Sequence, residues 1–168
     1  MTQSLPDALA RGMKGPRPRG VRPEQEPRLT RRRTAVALSG IPMFQSFSRR
    51  HLNHLAAEAD EVSFRPGEHV VEEGLLGETL FVILEGEARV VRNGRKVATL
   101  LPGDFFGELS ALDGGPRSAT VIAQTPLSAV RLFRRTLMGL AQREPGLTIS
   151  LLQGIAHRIR EIEHPISA

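Results

Sequence analysis

The chain contains no cysteine, no tryptophan and no tyrosine, and only seven phenylalanines among 168 residues. Without cysteine there are no disulfides and no thiol chemistry, which suits a reducing compartment. With so few aromatics, any core must be built mainly from aliphatic side chains. No apolar run approaches the roughly 20 residues that a membrane-spanning helix needs. The opening stretch, MTQSLPDALARGMKGPRPRG, lacks the apolar centre of a secretory signal. The expected location is therefore the cytoplasm. No Ser/His/Asp set, Walker loop or pair of framed carboxylates stands out, so the sequence gives no reason to expect catalysis.

The net charge of +5 is unevenly placed. Residues 1–33 hold nine Lys/Arg against three Asp/Glu, whereas residues 34–168 hold fourteen against fifteen. All the positive excess lies in the first segment, and the remainder has no net basic character of the kind a nucleic-acid surface needs. Residues 1–33 also carry five of the twelve prolines and little apolar periodicity. They read as a disordered basic tail, with residues 34–168 as the folded domain. The run Arg31-Arg32-Arg33-Thr34 suits a solvated arm, although it also has the composition of a phosphorylation or docking segment.

From Thr34 the pattern turns helical, with Leu38, Ile41, Phe44 and Phe47 three apart and Pro42 as an interruption. Ser48 is placed to cap a helix whose Leu52, Leu55 and Ala59 share one face. His51 and His54 are one turn apart, but no third ligand accompanies them, so they read as exposed polar residues. Residues 62–101 read as strands. Thr79 to Leu84 is a nearly continuous apolar run, short enough for a strand buried on both faces. Asn93-Gly94, between two alternating runs, is a hairpin signal. Strands at 118–123 and 127–133 follow, then helices at 134–142 and 147–162. Leu147, Leu151, Ile155, Ile159 and Ile162 form a stripe on the second of these helices. Glycines at 67, 74, 77, 86, 103 and 107 fall where strands turn, like the corners of a rolled sheet.

The stretch from Gly103 to Val121, GDFFGELSALDGGPRSATV, carries the chemistry. Gly107 and Glu108 stand at the expected start of a short helix, whose unpaired amides attract an anion. After a Gly-Gly-Pro turn come Arg117 and Ser118. A guanidinium matches phosphate oxygens two at a time. An ionised Glu108 accepts hydrogen bonds only, which suits a sugar hydroxyl. One turn thus offers a phosphate end and a hydroxyl end, as a sugar phosphate requires.

Phe106-Gly107-Glu108-Leu109-Ser110-Ala111-Leu112, followed by Pro116-Arg117-Ser118-Ala119-Thr120, resembles the phosphate-binding cassette of the cyclic nucleotide-binding domain family. The likeness extends from about Leu38 to about Glu163. It implies a mainly β fold: an eight-stranded β-roll with an N-terminal helical segment and two C-terminal helices. It further implies that Gly107 and Ala119 give backbone amides to a cyclic phosphate, and that Arg117 pairs with its charged oxygen. Ser118 would donate a hydroxyl, Glu108 would accept from the ribose 2′-hydroxyl, and the backbone of Leu109 would help hold the sugar. Phe106 opens the cassette. Val97 and Ala98 would lie near the base, and the final helix would cap it with Ile155, Arg158 or Ile159. A serine at 118 leans towards cAMP over cGMP. No cofactor is implied beyond this ligand.

Three other readings compete. PGEHVVEEG and ETLFVILEGEARV resemble the strand pattern of metal-dependent cupin enzymes, but Val71 stands where a second histidine after His69 would be needed. A transcription factor of the catabolite-activator type places a helix-turn-helix after its dimer helix. This chain reaches Ala168 without that module, so direct DNA reading is not expected. A scaffold with an empty pocket would be favoured by a lost Glu108 or Arg117, and both are present. The expectation is a non-catalytic sensor that relays binding through its last helix to a protein partner or a second copy.

Overall fold

A computed structural model describes residues 27–146, together with 148, 149, 152, 153, 155, 156 and 160. The tail as far as residue 26 lies outside the described residues, as do Arg158, Ile159, Leu147, Leu151 and Ile162.

The order of elements is α1 (Pro27–Ser39), a 3-10 turn (Pro42–Phe44), α2 (Arg49–Glu58), β1 (Asp60–Phe64), β2 (His69–Val71), β3 (Thr79–Glu85), β4 (Ala88–Arg92) and β5 (Arg95–Leu100). Then come β6 (Phe105–Phe106), α3 (Glu108–Asp113), β7 (Thr120–Ala123), β8 (Leu127–Phe133) and α4 (Arg134–Arg143). The described residues between 145 and 160 are helical as well. The eight strands form two antiparallel four-stranded sheets, in the orders β1-β8-β3-β6 and β2-β7-β4-β5. This is the eight-stranded roll with helices before and after it that the sequence led us to expect. The residue-by-residue reading lacked one strand, the two-residue β6 inside the cassette stretch. It is held by pairing Phe81 with Phe106 and Val82 with Phe105.

Helix α1 starts at Pro27, so the boundary drawn at residue 33 falls inside a helix. The Arg-rich run has no apolar stripe, but arginine is a good helix former and proline suits a first turn. Further along, the helix is tied down. Arg33 pairs with Glu85 on β3 and approaches Glu61 on β1. Thr34 and Leu38 are buried. At the next helix, Ser48 is the N-cap as expected, with its hydroxyl accepting from the His51 amide at 3.3 Å.

The apolar run of β3 is explained by what covers it. Leu80 and Val82 pack, with Val130 and Leu132 of β8, under the helices, alongside Leu38, Ile41, Phe44, Leu55 and Leu137. Phe81 and Ile83 point the other way, into the roll, where they meet Ala88, Leu127 and Ala129. Successive side chains alternate between faces, so a strand covered on both sides has no polar face to show. The hairpin forms at the expected place. Asn93 and Gly94 both have positive φ, at 50° and 73°, the geometry that a tight two-residue turn demands.

Candidate functional site

The cassette turn is built by backbone bonds across distant segments. Helix α3 is closed by Gly114, whose amide donates to the Ser110 carbonyl at 2.8 Å. Gly115 then donates to Asp113 Oδ1 at 2.7 Å. The loop between β2 and β3 runs alongside this turn. The Arg117 amide donates to the Leu75 carbonyl at 2.8 Å, and the Gly74 amide to the Arg117 carbonyl at 2.9 Å. Phe106 stacks on Phe81 with ring centroids 5.1 Å apart, which roots the start of α3 in the roll interior.

Arg117 is buried, and its guanidinium is spoken for on one edge. Nη1 donates to the Thr79 carbonyl at 2.7 Å and the Gly107 carbonyl at 3.1 Å. Nη2 donates to Thr79 Oγ1 at 2.7 Å. Burial draws this guanidinium below the ordinary arginine pKa, while the Glu108 carboxylate beside it works the other way. Glu108 is itself only 8 % exposed. Two glycines make room for the arginine. A Cβ at Gly77 would collide with Arg117 Nε and Cζ, and one at Gly107 would collide with Nη1 and come within 2.7 Å of the Thr79 carbonyl. Gly107 also has φ +80°, a conformation that L side chains rarely adopt.

Beside Arg117 and Glu108 opens a cavity of about 120 Å³. Val71, Val90, Leu100, Phe106 and Val121 form its apolar wall. Gly107, Glu108, Leu109, Ser110, Arg117, Ser118 and Ala119 form its polar end, and Arg92 completes the lining. The structure thus brings together all seven cassette residues singled out in the sequence, Phe106 to Leu109 and Arg117 to Ala119. Val97 and Ala98 do not line this cavity. Val97 is 56 % exposed, and Ala98 pairs across the ladder with Val90, which does line it. Ile155 is half-buried against the cluster beneath the helices and lies outside the cavity lining.

Sequence reasoning missed Val71, Val90, Arg92, Leu100, Ser110 and Val121 on the lining, and Thr79 and Gly77 behind it. The apolar members had a signal, the period-2 alternation of strands that face the roll interior. Thr79 had none, being 38 residues from Arg117. Among the described residues no three His, Cys, Asp or Glu side chains are grouped to hold a metal ion. His51 instead lies edge-on to Phe47 and 3.5 Å from Glu144, and His69 lies 3.3 Å from Glu72. No described helix is long and apolar enough to cross a membrane.

Comparison with known proteins agrees with this geometry. The family described as cyclic nucleotide-binding domain matches residues 61–144, half of the chain. The chain belongs to that family. It is 29% identical over 131 residues to the cyclic AMP receptor protein of Thermus thermophilus, covering 75% of this chain and 61% of that one. It is 36% identical over 106 residues to the cAMP-dependent protein kinase regulatory subunit of Yarrowia lipolytica, covering 60% of this chain and 28% of the relative. The chain therefore spans about three fifths of the first relative's length and under a third of the second's. Among solved structures, it resembles the N-terminal domain of a transcriptional regulator from Streptomyces coelicolor A3(2) with a TM-score of 0.65 and 30% identity. That match covers 78% of this chain and 94% of the other.

Proposed function

We propose that this chain is a non-catalytic sensor of a cyclic nucleotide, with cAMP preferred to cGMP. The observation that carries the reading is the presence of a buried Arg117 and a buried Glu108 together on the polar end of an apolar-walled cavity. Together they offer a cation suited to a phosphate oxygen and an acceptor suited to a sugar hydroxyl at the same end of the space. In the proposed complex, Arg117 pairs with the charged oxygen of the cyclic phosphate. The backbone amides of Gly107 and Ala119 and the hydroxyl of Ser118 donate to the phosphate as well. Glu108 accepts from the ribose 2′-hydroxyl, and the Leu109 backbone steadies the sugar. The base runs along the apolar wall towards the β5 edge, where Val97 and Ala98 lie.

Ser118 in the cassette supports the adenine preference. Binding orders the cassette and draws the final helix, with Ile155, Arg158 and Ile159, towards the base. The shift passes to a protein partner or a second copy in the cytoplasm. Such coupling requires that the ligand favour one arrangement of the helix over another.

Calorimetric titration of the purified, ligand-stripped protein with cAMP and, separately, cGMP tests this reading. Micromolar or tighter binding of cAMP, weaker for cGMP, is the expected result. The absence of heat from both, in a folded sample, makes the domain a scaffold with a vestigial pocket.

A further inference from the structure

Three charged residues line the cavity: Glu108, Arg117 and Arg92. The first two cancel, so without Arg92 the lining has no net charge. A cyclic nucleotide brings a phosphate with one negative charge. Arg92 is the last residue of β4, and strand alternation puts it on the same face as Ala88 and Val90, which turn into the roll. Its Nε donates to the Ser118 carbonyl at 3.1 Å, so it leans over the phosphate end of the cassette.

The position is held from both sides. The next residue, Asn93, donates its amide to Glu73 Oε2 at 2.9 Å. The Glu73 amide in turn donates to Oγ1 of Thr120, the last residue of the cassette and the first of β7, at 3.0 Å. The tip of the β4–β5 hairpin is thereby latched to the cassette strand by three hydrogen bonds, and Arg92 is carried by the latch.

We infer that Arg92 is a second cation of the phosphate site, held by the Ser118 carbonyl at the cavity rim, and that it gives the pocket its net positive charge. The inference rests on the cyclic nucleotide reading above. A cation at the rim of a cavity acts through the field more than through a desolvated contact. Its contribution is therefore largest at low salt and is screened as ionic strength rises.

Titrations of cAMP into the wild-type chain and the Arg92→Gln and Arg92→Lys variants, each at low and at high salt, test it. Thermal melts establish that every variant is folded. Arg92→Gln is expected to weaken binding a few-fold at low salt, and less at high salt. Arg92→Lys, which keeps the charge, is expected to regain most of that loss. Wild-type affinity in Arg92→Gln overturns the inference, and so does an Arg92→Lys protein as weak as Arg92→Gln. In either case, strong wild-type binding that Arg117→Ala weakens severely leaves the site reading standing. A wild-type chain that binds neither cAMP nor cGMP overturns that reading, and this inference with it.

Discussion

The two sheets of the roll have the same number of strands and opposite surroundings. In the β1-β8-β3-β6 sheet, the central strands β3 and β8 are covered on one face by the helices and on the other by the roll interior. In the β2-β7-β4-β5 sheet, β5 is exposed at five of its six residues, and β2 has no buried residue. The cavity lies against the second sheet, through Val71, Val90, Leu100 and Val121. Arg117 crosses from the cassette to Thr79, the first residue of β3 in the first sheet. One sheet thus supplies rigidity, the other supplies access, and one arginine joins them.

The sharpest way to break this contrast is to hollow the doubly covered sheet. Leu80 is fully buried on its helix-facing side. Leu80→Ala is expected to cost about 2–5 kcal/mol in denaturant unfolding. A cost under about 1 kcal/mol would mean that the sheet is less tightly covered than described.

Removing the arginine that joins the sheets comes next. Arg117→Ala should lower cyclic nucleotide affinity by roughly 10- to 100-fold, the equivalent of about 1.5–3 kcal/mol for a charge-assisted bond. Circular dichroism should show the fold retained. Unchanged affinity in this variant would sink the site assignment.

A milder change tests whether β3 positions that arginine. Thr79→Val removes the hydroxyl that receives Nη2 and leaves the backbone bond to Nη1 in place. The expected loss of affinity is a few-fold, about 0.5–1.5 kcal/mol, without a matching loss of stability. Equal affinity would mean that the backbone carbonyls of Thr79 and Gly107 suffice.

The smallest effect belongs to the open sheet. Val97→Ala, on the exposed β5, should move stability by no more than about 0.5 kcal/mol. A large drop in melting temperature there would reveal a covering that the chain's own described residues do not provide.

What could be read from the sequence follows the same divide between local and distant. The cassette was legible because its glycine, carboxylate, turn and arginine stand within a dozen residues, and the chemistry is set by their order. The hairpin at Asn93-Gly94 was legible because its backbone geometry restricts which residues can form it. The burial of Thr79 to Leu84 was legible from a run with no polar face. Thr79 as a partner of Arg117, Gly77 as the space for its guanidinium, and Arg92 on the rim were not legible. Each depends on pairings between segments far apart in sequence, which composition and periodicity do not encode. The start of α1 at Pro27 was missed for a related reason. The docking of that helix rests partly on Arg33 meeting Glu85 and Glu61, contacts with strands that come later in the chain.

The three bonds that fix Arg117 to Thr79 and Gly107 have a consequence for the cost of recognition. A free arginine side chain carries roughly 2 kcal/mol of rotamer entropy, which a ligand ordinarily has to overcome when it freezes the chain. Here that freedom is surrendered during folding, before any anion arrives. In the proposed complex the arriving phosphate therefore meets a receptor group that is already preorganised, and the strength of the contact is tuned from β3, a strand that the cavity lining does not include.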